Sequence, residues 1–210
     1  MTALPARPII LHGFPLSGHS HRISLFLALL GLPHETIRVD LPNRAQKQPE
    51  FLAMNPFGQV PVIDDDGTVV ADSNAILVYL ATRYGEEHWL PRDPVTAAEV
   101  QHWLSVASGP VFNGPCAARL VTVFNAPLDH ARAKATADAL FAVMEPHLAT
   151  RRFLAGTDTP TVADVSCYGY IAHAPEGGVS LAPYPHIRAW LGRIEALPGF
   201  VAMPASKIAA

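Results

Sequence analysis

The chain has 210 residues, half of them hydrophobic and 16% charged, with a net charge of −3; this suits one large globular domain or two small ones. The slight acidity offers no basic face for nucleic acid, and no stretch approaches the roughly 20 apolar residues of a membrane span. Cys116 and Cys167 are the only cysteines, far apart and outside any C-x-x-C, which argues against a disulfide framework or thiolate metal cluster and makes a reducing cytoplasm the expected compartment.

The N-terminal stretch through Pro15 carries too short an apolar run for a signal peptide. Ile9 to His12 reads as a strand. Ile23, Phe26, Leu27 and Leu30 follow at i, i+3, i+4, i+7, one face of a helix that Gly31 and Pro33 stop. Glu35 to Asp40 alternates polar and apolar, predicting a half-buried strand. Pro49 to Met54 is a short helix. Val60 to Ile63 and Thr68 to Ala71 are β-rich runs joined by Asp64-Asp65-Asp66-Gly67, a hairpin signal because Gly accepts positive φ. Ser73 can cap a helix to Tyr84, with Ile76, Leu77, Leu80 and Tyr84 inward and Gly85 at its end. The order βαβ, helix, antiparallel hairpin, helix is that of a thioredoxin-like α/β domain, expected over 1–85.

A charged, proline-containing segment over 86–94 reads as a linker, and 95–210 as an all-α domain. Asp93-Pro94 places a cap and an N1 proline before Val100, Trp103, Leu104 and Ala107. Helices follow over Asp129 to Glu145, from the capping-box spacing Thr161 to Asp164 through about His173, and around Ile187, Trp190, Leu191 and Ile194, closed by Pro198-Gly199. Gly109-Pro110 and Gly114-Pro115 should break or bend the first long helix.

The polar stretch Phe14 to Arg22, FPLSGHSHR, admits several chemistries. A hydrolase elbow needs G-x-S-x-G, but after Gly18-His19-Ser20-His21 stands Arg22. His12, His19 and His21 lack the spacing and the carboxylates of a metal site, so no metal is expected. Asp64-Asp65-Asp66-Gly67 lacks the later ligands of a calcium loop. No cysteine precedes Pro115, so a protein thiol at the first helix is excluded. What remains is a hydroxyl, Ser17 or Ser20, at a helix N-terminus: a cap, or a donor to an anion. Pro61 at a strand entry fits a turn, or a cis bond turning the Val60 N–H and C=O toward an extended ligand. Asp72-Ser73 offers a cap, or a carboxylate for an amine beside a hydroxyl for a carboxylate. Together these suit a small zwitterionic peptide.

Over nearly its whole length the chain resembles the cytosolic glutathione S-transferases, of the bacterial serine type related to the theta, phi and zeta classes. The resemblance is carried by PLSGHSHR, PEFLAMNPFGQVPVIDDDG, ADSNAILVYLATRYG, TVADVSCYGY and PYPHIRAWLGRIEALPGF. It implies a glutathione domain, a helical domain lining an electrophile pocket, and a homodimer, with glutathione as co-substrate and no metal. By position, Ser17 matches the thiol-activating serine, five residues before Arg22, with Ser20 still open for that role. Val60 matches the partner of the cysteinyl backbone and Pro61 the cis-proline. Asp72 and Ser73 match the γ-glutamyl contacts. Gln46 and Lys47 match the glycyl-carboxylate positions, with Gln59 assisting, and Phe57 resembles a dimer-contact aromatic. Trp103, Phe112, Cys116 and Arg119 are candidates to line the electrophile pocket. The implied reaction is thiolate attack on small hydrophobic electrophiles; glutathione-dependent disulfide or peroxide reduction, isomerisation, and a non-catalytic binding role are the alternatives. His19 stands where many relatives have asparagine, and Gln46 where histidine is frequent.

Overall fold

A computed structural model describes residues 4–206; residues 1–3 and 207–210, where the two expected domain ranges begin and end, lie outside the described residues. The chain divides into two units, one running to Leu90 and taking in 197–204, the other formed by Pro91–Ala196 with 205 and 206.

In the first unit, β1 (Ile9–Gly13) pairs in parallel with β2 (His34–Arg38), from Ile9 opposite His34 to Gly13 opposite Arg38. On its other side β1 runs antiparallel to β3 (Val62–Asp65), which runs antiparallel to β4 (Thr68–Ala71). The sheet order is β2-β1-β3-β4, with α1 (Gly18–Leu29), α2 (Pro49–Met54) and α3 (Ser73–Tyr84) between the strands and after them. This is the thioredoxin-like arrangement. Of the faces read from the periodicity, Ile23, Phe26 and Leu27 of α1 and Ile76, Leu77 and Leu80 of α3 have no exposed surface, while Leu30, just past the end of α1, is half-buried. Each such side chain stabilises the fold by about 1.5–3 kcal/mol. Gly31, at φ +64°, closes α1.

Three details differ from the sequence reading. β3 begins at Val62 rather than Val60, because Pro61 has no N–H for a ladder; the Val60–Pro61 bond is cis. β2 is shifted to His34–Arg38 and four of its five residues are exposed, since it lies at the sheet edge, where its alternation buries no face. The hairpin turn narrows to Asp66 and Gly67, at φ +50° and +90°, the two positive-φ positions of a tight turn. Asp65 thereby joins β3. Its buried carboxylate takes the hydroxyls of Tyr79 at 2.6 Å and Tyr84 at 2.7 Å, with Arg83 Nε at 3.3 Å.

The segment 197–204 packs back on α1. Gly199, at φ +83°, lies where a Cβ would come within 2.6 Å of the Ala28 carbonyl oxygen, and His21 Nε2 is 2.8 Å from the Val201 oxygen. Trp89 packs edge-on against Phe26, centroids 5.1 Å apart.

In the second unit every described regular element is helical. Asp93 caps α4 (Pro94–Val106) by accepting the Thr96 N–H at 2.9 Å. The two Gly-Pro pairs do not end this helix: it continues as a π-helical stretch over Ala107–Cys116 and then as α5 (Ala117–Phe124). Wider turns accommodate the missing proline donors, and Asn113 Nδ2 supplies the Gly109 oxygen at 3.0 Å. At Gly114 the bare Cα admits the next helix; a Cβ there would meet the Ala137 nitrogen at 2.9 Å. That helix, α6 (His130–Ala149), is capped by Asp129 and passes through Pro146 beyond the end expected at Glu145, with Leu148 buried in its last turn.

The capping box opening α7 (Val162–Ala172) is present. Asp164, with no exposed surface, accepts from Thr161 N at 2.8 Å, Leu154 N at 2.9 Å and Trp190 Nε1 at 2.9 Å, while burial pushes its carboxyl pKa up. Trp190 belongs to α8 (Pro185–Glu195), whose first turn is held by Glu145 through the His186 and Ile187 N–H groups at 2.9 and 3.0 Å. Among the described residues, no helix is long and apolar enough to cross a membrane.

Candidate functional site

The loop after β1 delivers Ser17 to the N-cap of α1 in an extended conformation. Its N–H donates to the Phe14 oxygen at 2.9 Å and its Oγ accepts the Ser20 N–H at 3.3 Å. The Ser17 hydroxyl hydrogen has no acceptor among the described residues. It therefore stands beside the positive end of a three-turn helix, ready to donate to an anion. Ser20 is placed differently. It is buried, its Oγ takes the Phe14 N–H at 3.1 Å, and it lines a cavity of about 360 Å³ with Leu11, His21 and Val201, which Ser17 does not line.

Asp72 is the N-cap of α3, one residue before the cap expected at Ser73. It holds φ +74°, a costly conformation for a non-glycine residue, and its Oδ1 accepts the Asn74 and Ala75 N–H groups at 2.9 and 3.0 Å. Oδ2 of this exposed carboxylate has no partner among the described residues. Ser73 is buried at the first helical position. Its Oγ receives Arg22 Nη1 at 2.7 Å and lies 3.2 Å from His19 Nδ1, and Arg22 Nη1 also donates to Asn74 Oδ1 at 2.8 Å. Burial and the neighbouring Arg22 charge pull the His19 pKa down to about 3, so the imidazole is neutral.

Gln46 and Lys47 lie in a 3₁₀ turn over Ala45–Lys47, which packs beside the loop 55–59. Buried Asn55 ties that loop, donating from Nδ2 to the Gln59 oxygen at 2.8 Å and accepting the Phe57 N–H at 3.1 Å. Lys47 Nζ donates to the Phe57 oxygen at 2.9 Å. Gly58, at φ +58°, has no room for a Cβ, which would meet the Gln46 oxygen at 2.6 Å. Gln46 Oε1 is buried without a hydrogen-bond partner among the described residues. Beneath the loop, Val39, Phe51 and Val62 form a small core with Val60 and Met54 packed on it. Val60 precedes the β3 ladder, and Phe57 at the turn tip is 80% exposed.

The sequence had not singled out Asn55, which sets the loop, or Asn74, which shares Arg22 with Ser73; each polar residue beside a recognised motif was the available signal. Of the four candidate pocket residues, only Phe112 is exposed. Trp103 is buried beside the His147 ring at 4.9 Å. Cys116 is buried, and so is Arg119, which ion-pairs with Glu176 at 2.6 Å. These three are core groups of the second unit. Among the described residues no three His, Cys, Asp or Glu side chains gather as a metal ion would need.

Family models for the glutathione S-transferase N-terminal domain and C-terminal domain match residues 16–83 and 124–198. The chain is 36% identical over 208 residues to glutathione S-transferase 3 of Zea mays, covering 92% of this chain and 91% of that protein. Its structure matches a crystal structure of a glutathione S-transferase from Pseudomonas fluorescens with a TM-score of 0.88 and 31% identity, over 95% of this chain and all of that one. It also matches a Drosophila mojavensis glutathione transferase homologue solved with bound glutathione, with a TM-score of 0.80 and 31% identity over 91% and 89% of the two chains. The chain belongs to the glutathione S-transferase family, and its two units carry that family's two domains.

Proposed function

We propose that this enzyme binds glutathione on its first unit and uses the Ser17 hydroxyl to hold the glutathione thiol as thiolate for attack on small hydrophobic electrophiles. The observation that carries the reading is the Ser17 hydroxyl: its oxygen is occupied by the Ser20 N–H and its hydrogen is uncommitted at the α1 N-terminus. A free thiol of pKa about 8.5 is only roughly 3% ionised at neutral pH. Lowering that value by about two units requires roughly 2.7 kcal/mol of preferential stabilisation of the anion, within reach of one charge-assisted hydrogen bond at a helix N-terminus. Ser17 neither attacks nor takes a proton; the nucleophile arrives on the ligand.

The remaining groups suit the rest of the tripeptide. Asp72 Oδ2 receives the γ-glutamyl ammonium and Ser73 its carboxylate. The Val60 backbone, ahead of Pro61, pairs with the cysteinyl unit. Lys47, Gln46 and Gln59 face the glycyl end, where the lysine charge attracts the carboxylate. Exposed Phe57 serves a homodimer contact, and the buried thiols of Cys116 and Cys167, not joined in a disulfide, suit a cytoplasmic protein.

The test follows the ultraviolet thiolate band of bound glutathione through a pH titration. Ser17→Ala should move its midpoint up by about two units, toward that of the free thiol. An unchanged midpoint rules out this role for Ser17.

A further inference from the structure

Ser73 Oγ meets two groups among the described residues, and both come from α1: Arg22 Nη1 at 2.7 Å and His19 Nδ1 at 3.2 Å. His19 and Arg22 are three residues apart, so they share a helix face and converge on one oxygen. A hydroxyl offers one hydrogen and two lone pairs. Arg22 can only donate, so it takes one lone pair. The neutral His19 ring decides what is left. If Nδ1 carries the ring hydrogen, it fills the second lone pair, and the Ser73 hydrogen has only a direction away from α1. If Nδ1 is bare, it captures the Ser73 hydrogen, and the hydroxyl can offer a ligand only a lone pair, which repels a carboxylate.

We propose that His19 is a positioning residue for Ser73: in the ligand-bound protein its Nδ1–H occupies the second lone pair of Ser73 Oγ and turns the hydroxyl hydrogen toward the ligand's carboxylate. This rests on the reading above that Ser73 meets the γ-glutamyl carboxylate of glutathione. An asparagine amide N–H can do the same work, whereas an alanine cannot.

The experiment compares wild type, His19→Ala, His19→Asn, Ser73→Ala and the double variant His19→Ala with Ser73→Ala. It measures glutathione affinity by calorimetry, and KM and kcat with an activated aryl chloride. His19→Ala should weaken glutathione binding by ~5- to 10-fold, with kcat at saturating glutathione retained, and His19→Asn should restore most of the loss. The double variant should bind no more weakly than Ser73→Ala alone. A glutathione analogue with the γ-glutamyl carboxylate converted to an amide should bind wild type and His19→Ala alike. In the wild-type complex, nitrogen NMR should show Nδ1 as the protonated ring nitrogen, a readout that does not depend on any variant folding.

If Ser73→Ala leaves glutathione affinity unchanged, the γ-glutamyl reading itself fails. If Ser73→Ala weakens binding but His19→Ala does not, only the positioning role fails. A His19→Ala defect confined to kcat, or an unprotonated Nδ1 in the complex, also overturns that role.

Discussion

The Ser20 N–H and the Ser17 hydroxyl oxygen meet at 3.3 Å, so the cap bond that starts α1 also orients the Ser17 hydroxyl. Two serines three residues apart thus have separable tasks. Ser17→Ala should lose about 1 kcal/mol of stability through the cap and about 25-fold in kcat/KM near neutral pH, the ratio of the two thiolate fractions. Ser20→Ala removes the acceptor of the half-buried Phe14 N–H, costing about 0.5–1.5 kcal/mol, and should leave the thiolate titration of bound glutathione in place. Denaturant midpoints and the ultraviolet titration of both variants check this, and a titration shift confined to Ser20→Ala would reverse the assignment.

Asp72 combines a cap, a positive φ and an outward carboxylate oxygen. Asp72→Gly should therefore separate stability from binding. Glycine relieves a conformation that costs about 1–3 kcal/mol and loses only a few tenths as a cap relative to aspartate. The melting temperature should hold or rise, while KM for glutathione rises about tenfold or more through loss of the ammonium partner. A variant with lower stability and wild-type KM would contradict both halves.

The pH dependence of stability has a definite sign. Burial and the Arg22 charge hold His19 at about 3 in the folded protein, against an ordinary 6.5, and burial also lowers His12 and His147. The unfolded chain takes up protons as pH falls through 6.5, while His19 stays neutral in the folded protein to about 3 and His12 and His147 protonate at lower pH than they do unfolded. The contribution of these histidines is therefore fully present above 6.5 and is lost as pH falls toward 3. His19 contributes at most about 1.4 kcal/mol per pH unit. Urea midpoints from pH 7 to about pH 4 should show His19→Asn overtaking wild type as pH falls; parallel profiles would contradict the neutral buried ring.

Two glycines of the π-helical stretch should answer the same substitution in opposite ways. Gly114→Ala drives a methyl to 2.9 Å from the Ala137 nitrogen and should cost about 1–3 kcal/mol. Gly109→Ala meets nothing within 4 Å and should stabilise by about 0.4–1 kcal/mol. Thermal melts of the pair read the difference directly.

The elements that sequence showed well are those in which one local pattern and the tertiary packing agree. The apolar faces of α1 and α3, the Asp66-Gly67 turn and the Thr161–Asp164 capping box are of this kind. Where packing overrides the local pattern, the reading went astray. β2 alternates but lies at an edge, and the Gly-Pro pairs meet a helix that widens instead of breaking. In the site, residue types left Ser17 and Ser20 both open and marked Asp72-Ser73, and the family resemblance chose Ser17. What they do not encode is which group takes which lone pair. The convergence of His19 and Arg22 on Ser73, 54 and 51 residues away, appears only once α1 and α3 lie side by side.

The closure of the first unit by 197–204 has a consequence for how the protein is made. His21, buried on α1, bonds to Val201, and Gly199 is fitted to the Ala28 carbonyl. A ribosome that has finished the sheet has not yet made the residues that cover one side of α1. The first unit therefore reaches its final packing only after α4 to α8 have been synthesised, and two segments more than 100 residues apart in the chain complete one domain.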